Sequence, residues 1–342
     1  MAIRIFDYSE NPRALLREIG GPLAALRDSQ QLPVVHLRRG WLNGSHLQVV
    51  ARPYGERPVE PAGFAAEAGR RALALGAEAP DEAAYLRRAE QLARWENVSA
   101  ELLPRYRQGH VEIAPHRPKP DPAALAQAVD QIAGRFLEPV LASAHTPDGD
   151  LLPHLARVMA LLARAHPRGI SAGALPYRSH AEGIASATGN HVDLRARFAE
   201  RFAADRALFE DALTAPVTNG TLLLWQRALY YAWGVAEALT ASGLIDERTL
   251  QGAAGDVSEP PLGTPVRSPF IAEVLDSGLL FRPSYRHIAH RVVLNVLYTS
   301  LTCFGITPVQ RYYLCYGLGE ATDLITGQSS VERLRDFSRE LA

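Results

Sequence analysis

The sequence predicts an α+β fold, with a mixed strand and helix part at the N-terminus, a helical middle, and a C-terminal pair of helices that line a cleft. Three observations predict it. Residues 2–8 alternate between apolar and polar side chains, as a short strand does. Residues 33–53 have the pattern of two strands around a turn that contains Asn43 and Gly44. Residues 122–255 show mainly helical composition and spacing.

The N-terminal elements carry clear local signals. A helix is predicted to start with Asn11 as its N-cap and Pro12 at its first helical position. In the strand pair, alternation turns Leu47 and Val49 toward a core, which leaves His46 on the opposite face.

A Pro-rich segment at residues 115–122 is the candidate domain boundary. It separates residues 1–118, predicted as an α+β region, from residues 119–342, predicted as a mainly helical region with the catalytic cleft. The two regions are expected to form one compact unit. Near the C-terminus, Ser284 and Thr307 are the predicted N-caps of the final two helices.

Composition excludes several classes of function. The 342 residues are 47% hydrophobic and 21% charged, as in ordinary soluble domains, and the net charge of −1 lacks the basic excess of nucleic-acid-binding proteins. The first residues do not form a signal peptide, and no apolar run of about 18 residues predicts a membrane span. The expectation is a soluble, cytoplasmic protein without a nucleic-acid or membrane partner. Cys303 and Cys315 are expected to be buried thiols.

A polar stripe runs along the helix predicted from residue 284 to residue 305. At about 100° per residue, six polar side chains fall within about 60° of one direction. They are Ser284, His287, Arg291, Asn295, Tyr298 and Thr302. A face in water would explain such a stripe, although it lacks Glu and Lys, the usual residues of a solvated face. The alternative is a lined cleft, in which these groups bind and polarise a carbonyl or carboxylate.

Residues 175–186 form a second candidate site, because Arg178, His180 and Glu182 crowd one short segment. His180 is an acid/base candidate, since the pKa of a histidine lies near 6.5 when unperturbed. The alternative is a loop that leads into a helix, with Ser179 as its N-cap and Glu182 completing a capping box.

The strand pair is the third candidate site. Its basic residues, among them Arg38 and Arg52, and the nearby Tyr54 can be edge and solvent residues. The alternative is an exposed sheet edge that receives a peptide by strand addition.

Motifs for metals and cofactors are missing. The sequence has no P-loop, no dinucleotide fingerprint in its strand and helix context, no H-E-x-x-H and no G-x-S-x-G. His287 and His290 are neighbours three positions apart on a helix, but no nearby carboxylate joins them. The prediction is therefore no metal and no cofactor.

Four stretches together resemble a known family. "HLRRGWLNGSHLQVVAR" resembles the strand pair near the start of the C-terminal elimination domain of class I lanthipeptide dehydratases. "LPRYRQGHVEIAPHRP", "LPYRSHAEGIAS" and "HRVVLNVLYTSLTCFGITPVQRYYLCY" are more similar to the stand-alone thiopeptide relatives of that domain, the pyridine synthases. The resemblance covers most of the chain and implies an α+β fold like that of the elimination domain.

The activity that the resemblance implies belongs to thiopeptide antibiotic biosynthesis. Such enzymes join two dehydroalanines of a leader-bearing, azole-containing precursor peptide by a formal aza-[4+2] cycloaddition. Loss of water and of the leader as an amide then gives the pyridine of a macrocycle, without a metal or organic cofactor. The precursor peptide is the implied partner, residues 1–118 could contact its leader, and other biosynthetic enzymes are further candidate partners.

The steps of this reaction indicate candidate roles for individual residues. One amide must be held as its iminol, so its carbonyl needs a donor and its N–H an acceptor. The candidate catalytic residues are Ser284, Tyr285 and Tyr298 as donors, and His287, His290 and His180 as groups that move protons. The candidate substrate-binding residues are Arg291, Asn295, Arg178, Glu182, Arg52 and Tyr54.

The sequence also departs from the dehydratase pattern. Where the eliminases have an "LRLR" alternation, this chain has "LQVV", with Gln48 and Val50 in place of arginines. In "RVVLNVL", Asn295 matches the family helix, but its first histidine aligns with Arg291 unless an inserted residue brings in His290. A stand-alone glutamyl eliminase that forms dehydroalanine is therefore the alternative enzyme. A non-catalytic scaffold that binds the precursor peptide is the third hypothesis.

Overall fold

A computed structural model describes residues 1–53, 55, 57–95, 99–116, 123–187, 193–218, 220–253, 268–277 and 284–341. The chain divides into two compact units. The first consists of Met1–His145 and Asn295–Ile306, and the second of Thr146–Leu294 and Thr307–Ala342. These bounds differ from the predicted division at residue 118, since residues 119–145 and a C-terminal segment belong to the first unit.

The described residues confirm the predicted α+β class. The strands are β1 (Ala2–Phe6), β2 (Val34–Gly40), β3 (His46–Arg52) and β4 (Val111–Ala114). The helices up to residue 145 are α1 (Pro12–Ser29), α2 (Ala62–Ala74), α3 (Glu82–Trp95) and α4 (Ala123–Ser143). The helices that follow are α5 (Asp148–Ala165), α6 (Gly169–Gly173), α7 (Leu175–Ala187), α8 (Leu194–Thr214), α9 (Gly220–Ala241), α10 (Glu247–Ala253), α11 (Pro269–Asp276), α12 (Tyr285–Leu301), α13 (Pro308–Thr326) and α14 (Ser330–Leu341). Helix α12 begins in the second unit and ends in the first.

Local signals placed the starts of α1 and α13 and the hairpin correctly. The Asn11 side chain accepts a hydrogen bond from the Arg13 backbone N–H at 3.1 Å, which caps α1. Thr307 and Gln310 form a reciprocal capping box at the start of α13. Between β2 and β3, Asn43 adopts a positive φ of 63° in a five-residue connection, as its turn chemistry predicts.

The sheet of the first unit is antiparallel, with the strand order β2-β3-β1-β4. Helix α2 packs against β1 and β4, and α4 packs against β2. The α2 residue Gly69 lies close to Val111, whereas Gly134 of α4 lies against Val34. Since the strand register puts Val111 and Val34 on opposite faces, the sheet is covered on both sides.

His46 lies on the face opposite Leu47 and Val49, as predicted, and this face is buried too. Its side chain is only 3% exposed, and its ring lies 5.1 Å from the Phe6 ring. Nδ1 donates a hydrogen bond to the Gly44 carbonyl oxygen at 2.8 Å. The ring lies directly over Gly40, where a Cβ atom would collide with Nε2.

In the second unit, α13 packs against α7 and α8. Gly317 of α13 is required there, because a Cβ atom would collide with the buried ring of Phe209. Helix α7 begins at Leu175, so Ser179 and Glu182 lie inside it and the predicted capping box is wrong. Pro176 at the start of the helix is compatible with this earlier beginning. The short α11 and the final α14 were not predicted from the sequence.

The structure can be compared with the expectations for the two cysteines and for membrane-spanning helices. Cys303 and Cys315 are free, buried thiols, as predicted. Burial raises the pKa of Cys303 to about 12, so it is a protonated thiol at neutral pH. Within the described ranges, no helix has both the length and the apolar character needed to cross a membrane.

Candidate active site

Two histidines and a tryptophan meet in the interior of the second unit. The rings of His166 and His290 are 5.5 Å apart, and each lies 5.6 Å from the ring of Trp233. His180 and His287 are close enough to His290 to affect its charge. The structure therefore brings the three predicted proton-moving histidines together, and it adds His166, which the sequence did not single out.

Local structure holds these histidines in place. Ser284 caps α12, because its hydroxyl accepts a hydrogen bond from the His287 backbone N–H at 3.3 Å. His166 ends α5, and its Nδ1 accepts from the Arg168 backbone N–H at 3.1 Å. A neutral imidazole with an accepting Nδ1 carries its proton on Nε2, so the tautomer of His166 is fixed.

Burial keeps all four histidines neutral. It lowers the pKa of His166, His180 and His287 to about 4 each, and nearby arginines lower these values further in the same direction. The pKa of His290 lies well below the usual value, because its ring is fully buried and faces the other imidazoles. At neutral pH each ring therefore offers one donor and one acceptor and no charge.

The unusual atom of the cluster is Nε2 of His290. The residue is 1% exposed, and Nε2 makes no hydrogen bond to any residue that the structure describes. A buried polar atom left unpaired costs about 1–3 kcal/mol. A buried polar atom without a protein partner can pair with a water or a ligand, so contact between His290 and a substrate stays a prediction.

Arg291 has an internal partner. One of its terminal nitrogens donates to both carboxylate oxygens of Glu247, at 2.6 and 2.5 Å. A guanidinium has five N–H donors, so this pair orients the group without using all of it. Arg291 also contributes to the lowered pKa of His180 and His287. A substrate-binding role for Arg291 stays a prediction.

Tyr285 lies toward solvent at the start of α12. It is 40% exposed, and the Arg286 guanidinium lies 5.4 Å from its ring centre. The same guanidinium donates to Glu237 at 3.1 Å. Tyr285 has no described direct contact with a histidine of the cluster, although Glu237 also accepts from Trp233 Nε1 at 3.2 Å. Its catalytic role stays a prediction.

The other half of the stripe belongs to the first unit. Asn295 is exposed there, whereas Tyr298 is buried at 8% exposure. The six stripe residues therefore do not share one kind of environment. Helical spacing shows which side chains point in the same direction, but the neighbours that cover them are set by the fold.

The segment with Arg178 is an ion-pair network. Arg178 donates to Glu320 at 2.5 Å, to Asp323 at 3.0 Å and to the Ser330 hydroxyl at 3.0 Å. Glu182 accepts from Arg195 at 2.6 Å. The bonds of Arg178 tie α7 to α13 and to the start of α14, which explains the strong pairing without a substrate. Binding roles for Arg178 and Glu182 stay predictions.

Arg52 takes part in a second buried cluster, in the first unit. The Asp130 carboxylate accepts from Arg52 at 2.6 Å and from His36 Nε2 at 3.0 Å. His116 Nε2 and Arg38 donate to it as well, at 3.2 and 3.3 Å. Burial alone would raise the pKa of Asp130, but the hydrogen bonds from the two histidines and Arg52 outweigh it and hold the pKa well below its usual range.

Asp130 was missed by the sequence reasoning, although a signal existed. In α4 it follows Ala126 by four positions and precedes Ala133 by three, and both of these are buried. An acidic residue within an apolar helical stripe indicates a buried charge with partners.

Tyr54, the predicted companion of Arg52, lies outside the described residues. Among the residues that are described, no three His, Cys, Asp or Glu side chains are grouped to hold a metal ion.

Comparisons with known proteins agree on the fold. The pyridine synthase TbtD from thiomuracin biosynthesis superposes with a TM-score of 0.70 at 22% identity, over 95% of this chain and 98% of that chain. The chain has the same fold as TbtD. TsrL shares this fold with a TM-score of 0.65 at 15% identity, over 98% of this chain and 97% of its own. No protein-family model and no curated protein matches the sequence.

Proposed function

We propose that this protein is a leader-dependent pyridine synthase of thiopeptide biosynthesis, acting in the cytoplasm on a modified precursor peptide. The observation that carries the proposal is the neutral histidine cluster with the unpaired Nε2 of His290, in a chain with the same fold as TbtD. Two dehydroalanines of the peptide would be joined into the central pyridine of a macrocycle by a formal aza-[4+2] cycloaddition.

Neutral imidazoles suit the first step. The amide before one dehydroalanine must become its iminol, which requires a proton to reach the carbonyl oxygen and another to leave the nitrogen. A neutral imidazole can donate through one nitrogen and accept through the other, so His290 with His287 or His180 can carry out this exchange. The enzyme would also hold the two alkenes in contact. This lowers the barrier to ring closure, because bringing the two ends of a flexible peptide together otherwise costs much entropy.

The later steps also use proton transfer. After both new ring bonds have formed, the ring loses the iminol hydroxyl as water and the leader as a primary amide. Each loss also removes one hydrogen from the ring, so the balance gives an aromatic pyridine without an oxidant. Each leaving group needs a proton and each ring hydrogen needs a base, which are roles that neighbouring imidazoles can share.

The test uses a leader-bearing, azole-containing peptide with two dehydroalanines and the purified protein. Mass spectrometry should detect the free leader amide and a core lighter by one water and the leader. Conversion only of a glutamylated precursor would identify an eliminase instead. An unchanged peptide that still binds would identify a scaffold.

A further inference from the structure

A groove lies between helix α2 and the edge strand β4 in the first unit. Its volume is about 470 Å³, and its walls include Ala65 and Leu73 of the helix and Val111 and Ile113 of the strand. Leu73 is 62% exposed and Ile113 is 49% exposed. Two large apolar side chains so close together and so exposed are typical of a surface that binds a partner.

Close backbone contact forms one end of the groove. A Cβ atom at Gly69 would lie 3.0 Å from the Gly109 carbonyl oxygen, and a Cβ atom at Gly109 would lie 2.9 Å from Cβ of Leu73. Gly109 also has a φ of +73°, which other residues rarely adopt. The two glycines thus allow the helix and the beginning of the strand to touch, which fixes the shape of the groove.

Among the described residues, the strand beside the groove has an open edge. The order β2-β3-β1-β4 gives β4 a single partner among the described strands. Phe6 of β1 donates to the His110 carbonyl oxygen and accepts from the Gly109 N–H. Because hydrogen-bonded positions alternate in an antiparallel ladder, the backbone groups of Val111 and Ile113 point away from β1. They can pair with an added strand.

The charged residues around the groove indicate which kind of peptide would bind there. Arg70 and Arg107 both line it. Arg70 pairs with Glu67, whereas Arg107 is exposed and, in the described part of the chain, has no ion-pair partner. A peptide with a carboxylate beside its apolar residues would complement this wall.

We propose that the α2–β4 groove binds an extended, apolar and acidic segment of the precursor peptide as a fifth strand of the sheet. Backbone bonds to Val111 and Ile113 hold the segment, every second side chain enters the groove against Leu73, and a carboxylate meets Arg107. This inference rests on the proposed function, because it takes the precursor peptide as the occupant.

The first variant removes one outward backbone donor. Ile113→Pro eliminates the N–H that would bond the added strand, and proline is tolerated on a sheet edge when the lost donor points outward. Binding of the fluorescein-labelled, leader-bearing peptide with two dehydroalanines, measured by anisotropy, should weaken about tenfold or more. Ile113→Ala keeps the N–H and should weaken binding less.

The second variant tests the charge without changing the strand. Arg107→Glu should weaken binding about threefold to tenfold, and the loss should shrink as salt is raised. Arg197→Glu is the matched control, because Arg197 is also exposed but belongs to the second unit. In hydrogen exchange, the wild-type amides of Val111 and Ile113 should become protected when the peptide is added.

The outcomes separate this inference from the proposed function. If the wild type converts the peptide while Ile113→Pro and Arg107→Glu leave binding and exchange unchanged, the groove proposal is wrong and the proposed function stands. If the peptide protects β4 but no product forms, the groove proposal stands and the proposed function fails. Protection that depends on protein concentration without peptide would instead identify a second copy of this chain as the occupant and overturn the inference.

Discussion

Asp130 in the first unit and His290 in the second are both polar groups buried in the protein interior, but their surroundings differ. Asp130 receives hydrogen bonds from two histidines and two arginines. His290 is surrounded by other imidazoles and an indole ring, and its Nε2 has no partner among the described residues. A fully paired charge stabilises one arrangement, whereas an unpaired neutral ring remains available to a ligand. The paired carboxylate gives the first cluster a structural role, although Nδ1 of His36 there is also unpaired among the described residues. A chemical role for the second cluster stays a proposal.

The largest expected effect is that of pH on the histidine cluster. His166, His180 and His287 each have a pKa of about 4 in the folded protein, compared with about 6.5 in the unfolded chain. Between about pH 6.5 and about pH 4 the unfolded chain therefore binds more protons than the folded protein, so the free energy of unfolding falls as pH falls. Each such residue loses about 2 kcal/mol between pH 7 and pH 5. Asp130 contributes nothing in this window, since its carboxylate is ionised in both states.

Urea unfolding at pH 7 and pH 5 measures this effect. The free energy of unfolding should fall by several kcal/mol, and His287→Gln should reduce the fall by about 1–2 kcal/mol. The same fall in the variant and the wild type would mean that His287 is not held neutral in the folded protein.

The second prediction concerns the paired cluster. Asp130→Asn removes the negative charge and leaves Arg38, Arg52 and His36 facing one another, so the free energy of unfolding should drop by about 3–5 kcal/mol at pH 7. Asp211→Asn is the control, because its half-exposed carboxylate pairs with Arg157 near solvent, and it should cost less than about 1 kcal/mol. Equal losses of unfolding free energy in the two variants would contradict a structural role for Asp130.

The third prediction concerns the unpaired ring. His290→Gln should lower the rate of pyridine formation about 10²- to 10³-fold while peptide binding stays near that of the wild type, because a general acid or base is lost. His154→Gln is matched to it, since His154 is also buried in the second unit with a pKa lowered to about 4. Comparable rates for the two variants would contradict a catalytic role for His290.

The smallest expected effect lies at the half-buried pair beside the cluster. Glu247→Gln should change the free energy of unfolding by less than about 1 kcal/mol, because solvent reaches both partners. Its effect on turnover should be a higher KM rather than a lower kcat if Glu247 orients Arg291 for substrate binding. A stability loss as large as that of Asp130→Asn would show that the second unit also relies on buried charge.

The sequence by itself determined the features that depend on neighbours within about four residues. Asn11 and Pro12 set the start of α1, Thr307 and Gln310 set the start of α13, and Asn43 set the turn between β2 and β3. Each signal acts through a bond or a backbone preference that does not need the rest of the fold. The resemblance of longer motifs predicted the fold class correctly as well.

Tertiary structure alone decided the environments of the polar residues. His36 meets Asp130 across 94 positions, and His166 meets His290 across an even longer separation, so no local pattern could indicate either contact. The capping box predicted at Ser179 failed for a related reason, because α7 begins earlier and packs along α13. Local interactions specify elements, but burial, which sets pKa values and pairing, depends on which elements pack together.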